Sequence, residues 1–257
     1  MVAGGGKVRL YYTKGSGGNG VNTVYFVDTT GTVCTDINGV GLPAAGAALP
    51  TSGLAYDPTV LQTQGLAPNN MCILNGFPTS LKSKTSFPFG IWFANATTLY
   101  LADEGNGTTG TTVGNFYTPA TVQTTAGLQK WVLVSGKWKL AYTLNAGLGL
   151  GVPYVVAGYP TGNNSGTGGT GFPWAPATEG LRNLTGVVNG DGTATIYAIT
   201  STISGSGDPG ADPNKLVAIT DTLSATSLPA ESFVTLKKAA SGEVLRGVSW
   251  APGSSKH

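Results

Sequence analysis

Phe89-Gly90-Ile91-Trp92-Phe93-Ala94 is followed by Asn95-Ala96-Thr97 and then by Thr98-Leu99-Tyr100-Leu101-Ala102-Asp103. The two outer runs are rich in aromatic and β-branched residues, and the short polar step between them is hairpin chemistry. The pattern continues downstream. Gly127 to Val134 and Lys137 to Leu144 are a second strand pair, joined by Ser135-Gly136 as a two-residue turn. Four consecutive antiparallel strands over residues 87–144 therefore form one unit.

Working outward, a second unit occupies about 180–237. Leu184 to Val188 turns through Asn189-Gly190-Asp191-Gly192 into Thr193 to Ile199, and Lys215 to Thr220 and Ser232 to Leu236 complete it. An N-terminal unit, about 8–77, opens with Val8 to Thr13 and Thr23 to Asp28, separated by a Gly-rich turn. A loop from about Gly31 to Asn70 follows, long enough to need a function or a staple. Cys34 sits near its start and Cys72 just past its end, and two free thiols or one disulfide both fit; the disulfide supplies the staple. Residues 243–251 read as the opening strand of a further unit.

Repeated four-stranded antiparallel units predict an all-β chain of the β-propeller kind. The stretch Leu99-Tyr100-Leu101-Ala102-Asp103-Glu104-Gly105-Asn106 resembles the strand-closing segment of NHL-like and related bacterial propeller repeats, with Leu101 where a valine is usual. That resemblance implies a fold and no activity. About three blades per chain are fewer than the four to eight usual for a ring. The expectation is a ring completed by a second chain, a fragment of a larger ring, or a further blade concealed in 41–81 or 145–179.

Composition narrows the function classes. Charged residues are 10% of the 257, against a norm of about 25%, and the net charge is +2. This argues against a nucleic-acid partner, which would need a basic face. Lys130, Lys137 and Lys139 are the nearest thing to one, and they read as lysines blunting a solvent face or edge. A surface solvated by Gly, Thr, Ser and Asn suits a secreted or periplasmic protein. No leader is visible at Met1 to Gly6, so export implies a leader that has been removed or lies outside this sequence. No stretch approaches the ~20 apolar residues of a membrane helix.

The only histidine is His257, which removes triads and histidine-ligated metals from consideration. Asp103 and Glu104 remain as candidate general acid and base, and with Asn106 they form an oxygen set of the kind Ca²⁺ takes. The structural alternative is an aspartate holding the turn that follows its strand. Trp174, in Gly171-Phe172-Pro173-Trp174-Ala175-Pro176, shares an irregular segment with Tyr154 and Tyr159. Loop aromatics of this kind stack on sugar rings or anchor the loop into the core. Two functions follow as expectations: an exported binding or structural module for carbohydrate or another extracellular polymer, or a carboxylate-dependent hydrolase or lyase with or without Ca²⁺.

Overall fold

In the computed structural model, the residues described are 2–4, 7–9, 11–15, 22–27, 71–78, 86–206 and 211–250. Their strands are β1 (Val2–Gly4), β2 (Lys7–Arg9), β3 (Tyr11–Lys14), β4 (Thr23–Val27), β5 (Met71–Ile73), β6 (Pro88–Asn95), β7 (Thr98–Asp103), β8 (Gly127–Val134), β9 (Lys137–Leu144), β10 (Ala177–Val188), β11 (Thr193–Ile203), β12 (Lys215–Thr222) and β13 (Val234–Lys238). The only helical elements among the described residues are a 3-10 turn, Val113–Asn115, and α1 (Thr118–Thr121).

The strands form antiparallel sheets in simple chain order: β3-β4-β5, β6-β7-β8-β9 and β10-β11-β12-β13, with β1 and β2 as a separate pair. The all-β expectation holds, and both four-strand units fall where the sequence puts them. The first unit differs. Within Val8 to Thr13, β2 pairs with β1 while β3 pairs with β4, and Leu10 between them lies outside the described residues. β10 also starts earlier than expected, at Ala177, with register shifts near Thr178 and Leu181. Those bulges break the simple alternation that marks a strand in sequence.

The middle sheet is buried on both faces. Leu99 and Leu101 of β7 join Val24, Phe26, Leu74, Phe77, Trp131 and Trp138 on the side of the first sheet. Tyr100 and Ala102 join Leu128, Tyr142, Leu181, Ile196 and Ile219 on the side of the third. All six residues of β7 are buried, which explains its almost unbroken apolar sequence. A bulge at Ala141, where the register passes from Lys130↔Tyr142 to Trp131↔Leu140, lets β9 send Trp138 to one core and Tyr142 to the other.

The first strands of successive sheets lie against one another: β3 on β6, and β6 on β10. Glycine makes this approach possible. A Cβ on Gly90 would sit 2.6 Å from the Arg182 carbonyl oxygen, and one on Gly186 would sit 2.6 Å from the Trp92 ring.

A fully buried charge network ties the second sheet to the third. Tyr100, Lys130 and Tyr142 occupy one cross-strand row on β7, β8 and β9. Asp221 of β12 enters from the facing sheet, with Lys130 Nζ 2.9 Å from its Oδ2 and neither side chain exposed. The Tyr142 hydroxyl donates to Asp221 Oδ1 at 2.6 Å, and the Tyr100 hydroxyl donates to Oδ2. Lys130 also donates to the Thr222 carbonyl at 2.6 Å and to the Tyr142 hydroxyl at 2.9 Å. Lys130 is thus no surface lysine, unlike the exposed Lys137 and Lys139. Its place on the inner face of a doubly covered strand forces the burial, and Asp221 makes the burial tolerable.

Residues 243–250 carry no strand, against expectation. Gly247, at φ +63°, interrupts the extended backbone. The segment is instead held by side chains. Asn214 exchanges two hydrogen bonds with the backbone of Leu245, and the Trp250 indole donates to the Gly186 carbonyl at 3.1 Å.

Lys130→Met strands the Asp221 carboxylate in a dry interface. Equilibrium urea unfolding should show a loss of about 3–5 kcal/mol. A loss below about 1 kcal/mol, the size of an exposed pair, would contradict this burial.

Candidate functional site

β7 ends at Asp103 because the chain must turn there, and the carboxylate builds the turn. Asp103 Oδ1 accepts the Gly105 amide at 3.0 Å. Its Oδ2 accepts the Phe87 amide at 2.9 Å, Gln129 Nε2 at 3.0 Å and the Ser86 hydroxyl at 3.2 Å. The side chain is wholly buried. Glu104, next in sequence, points elsewhere: its Oε2 is 3.0 Å from Arg182 Nε of β10. Asn106 Oδ1 accepts the Thr108 amide at 2.9 Å, closing its own small turn. Asp103, Glu104 and Asn106 therefore do not converge on one point, and among the described residues no group of three His, Cys, Asp or Glu side chains is placed to hold a metal ion.

The structure adds a carboxylate that the sequence reading missed. Glu179, buried on β10, accepts the Gly107 amide at 2.6 Å and Gln123 Nε2 at 2.9 Å through one oxygen. Gln123 Oε1 in turn accepts the Asn106 amide at 3.0 Å. Three consecutive amides, of Gly105, Asn106 and Gly107, are thus taken by Asp103, Gln123 and Glu179. The Glu104 carbonyl is fixed as well, by the Ser201 hydroxyl at 2.6 Å. A lone acid in Pro176-Ala177-Thr178-Glu179-Gly180 is the one sequence signal that marks Glu179, since it interrupts an otherwise uncharged stretch.

Burial dominates the electrostatics. It raises Asp103 to about 6, outweighing the hydrogen bonds that favour the carboxylate. Glu179 is raised to about 7, first by burial, with the charges of Glu104 and Asp103 adding to it. Glu104 is raised by burial too, with Arg182 opposing.

Two cavities flank the turn. One, of about 350 Å³, is bounded by Phe87, Asn106, Pro119, Val122, Gln123, Thr124 and Thr125. The other, of about 220 Å³, lies across Gly107 against Phe116, Phe172 and Ser204.

The aromatic candidates do come together. The Tyr159 and Trp174 rings meet edge to face with centroids 6.5 Å apart. The Tyr159 hydroxyl donates to Asp212 Oδ1 at 2.6 Å, and the Tyr154 hydroxyl donates to the Pro213 carbonyl at 2.7 Å. Lys215 Nζ covers the Tyr154 ring at 3.9 Å from its centroid. Burial, with Lys238 nearby, lowers Lys215 to about 8. Tyr154 and Tyr159 are pinned by their hydroxyls, which leaves the half-buried Trp174 as the aromatic surface on offer. Cys34 lies outside the described residues, and its pairing with Cys72 with it.

Comparison with protein families, with curated proteins and with solved structures returned no match.

Asp103 and Glu179 hold their protons to higher pH in the folded chain than in the unfolded one. The stability this confers is full below about pH 4, where carboxyls are protonated in both states, and is lost as pH rises through about 6 and 7. Each group accounts for on the order of 3 kcal/mol. Glu179→Gln should therefore become more stable relative to wild type as pH rises from 5 to 8, by denaturant unfolding at each pH. A constant difference across that range would contradict the assignment.

Proposed function

We propose that this chain is an arc of a β-propeller, exported from the cell, that serves as a binding or structural module. Support for the propeller comes from the order of the parts: each sheet follows chain order, the sheets stack face to face, and their first strands meet. The ring is completed by self-association, with a second copy as the simplest partner. Its ligand is a carbohydrate or another extracellular polymer, reached through the loops that carry Trp174, Tyr154 and Tyr159.

The observation that carries binding over catalysis is the state of Asp103. Four donors of its own chain occupy the carboxylate, and no part of it is exposed. A general acid or base must reach the reacting atom, and this one is enclosed by donors of its own chain. Glu104 is likewise engaged, by Arg182. The hydrolase or lyase reading draws its support from Asp103 and Glu179, raised to about 6 and about 7, in the range a general acid uses.

Two measurements separate the readings. Asp103→Asn and Glu104→Gln should lower the unfolding midpoint while retention on insoluble polysaccharide persists in whatever remains folded. Turnover of a polysaccharide that either substitution abolishes in a fully folded protein would instead establish the hydrolase. Trp174→Ala should reduce polysaccharide retention several-fold without changing the unfolding midpoint. Light scattering should return twice the 26.0 kDa chain mass; a monomer at all concentrations would remove the two-chain ring.

A further inference from the structure

The cavity beside the Glu104–Gly107 turn has a composition that selects for a ligand class. Its volume of about 350 Å³ falls in the range of small-molecule sites. None of the seven side chains around it is charged. Its apolar lining residues are Phe87, Pro119 and Val122, the last 71% exposed. Its polar lining residues carry amides and hydroxyls: Asn106, Gln123, Thr124 and Thr125.

Gln123 is the side chain that makes this a built site. Its amide cannot flip. Nε2 donates to the buried Glu179 carboxylate at 2.9 Å, and Oε1 accepts the Asn106 amide at 3.0 Å. Reversal would set two acceptors against each other and two donors against each other. An amide group has two N–H donors and two acceptor positions, so the fixed side chain keeps one donor and one acceptor for a ligand. Asn106 Oδ1 is taken by the Thr108 amide, while among the described residues its Nδ2 and the hydroxyls of Thr124 and Thr125 make no hydrogen bond.

We propose that this cavity binds a neutral pyranose unit, with Gln123 hydrogen-bonded to two adjacent hydroxyls and Val122 and Pro119 packed against the C–H face of the ring. Each hydroxyl both donates and accepts, which suits the one donor and one acceptor left on a single fixed amide. The C–H face of a sugar ring needs an apolar surface, and among the described residues no charged side chain lines the cavity, which disfavours a uronate or a phosphate sugar. The site rests on the reading of the chain as a carbohydrate-binding module, but it is separate from the Trp174 loops.

The test is NMR titration of the full chain with methyl β-glucopyranoside, methyl β-galactopyranoside and methyl α-mannopyranoside, with glucuronate as the charged control. At least one neutral pyranoside should saturate shifts of the Asn106, Thr124 and Thr125 amides in the millimolar range, and glucuronate should bind more weakly. Gln123→Ala should weaken that binding at least tenfold. Val122→Asp, on an exposed side chain that makes none of the turn's hydrogen bonds, should do the same in a protein with unchanged unfolding midpoint. Trp174→Ala should leave it unaltered. No shift at these amides up to tens of millimolar of any neutral pyranoside overturns the proposal, as does binding that survives Val122→Asp. Loss of this site with polysaccharide retention intact leaves the module reading standing.

Discussion

Lys130 and Asp221 meet in a space from which water is excluded, and the second and third sheets are arranged around that meeting. Moving a lysine and an aspartate out of water costs several kcal/mol per ion. Only a precise geometry returns that cost, and the geometry needs both sheets. Tyr100, Lys130 and Tyr142 come from three neighbouring strands of one sheet, and Asp221 and the Thr222 carbonyl from the facing sheet. A sliding of one sheet over the other by a single residue would leave a buried charge without its partner. Apolar contacts between Leu128, Leu181, Ile196 and Ile219 supply attraction but tolerate many registers. The charge network selects one.

The Gly105–Gly107 turn extends the same logic to the end of the second sheet. Only Gly105 of the turn is buried, yet all three amides are paired, and the residues that take them come from separate elements: Asp103 from β7, Gln123 from the segment after α1, and Glu179 from β10. The acids are therefore architectural before they are anything else. They also fix a loop between two cavities, and that is how a structural cluster comes to shape a binding surface. The low overall charge of the chain fits this division of labour. Among the described residues, Asp103, Glu179, Asp191 and Glu243 all accept backbone amides.

Much of the fold was legible in sequence. The runs at Phe89 to Asp103 and Thr193 to Ile199 alternate or continue cleanly, and Ser135-Gly136 and Asn189 to Gly192 mark their turns; Asp191 does close its own turn on Thr193. What was hidden had physical reasons. The bulges in β10 blur its periodicity, so its first residues read as irregular. Gly247 breaks an apolar run that otherwise reads as a strand. Lys130 looked exposed because a lysine gives no local sign of its partner, here 91 residues away in sequence at Asp221. The site was legible only in part. Asp103 stood out at its strand end, but Gln123 and Glu179 lie in stretches whose meaning depends on the packing of β10 against the end of β7. Tyr154, Tyr159 and Trp174 were found together because they share one loop.

The charge network joins the second and third sheets into one cooperative unit. Native-state hydrogen exchange tests it most directly. Amides of β7, β8, β11 and β12 should exchange last and with one common free energy equal to that of global unfolding. Distinct, lower opening free energies for β11 and β12 than for β7 and β8 would mean that the sheets open independently, and would contradict the account.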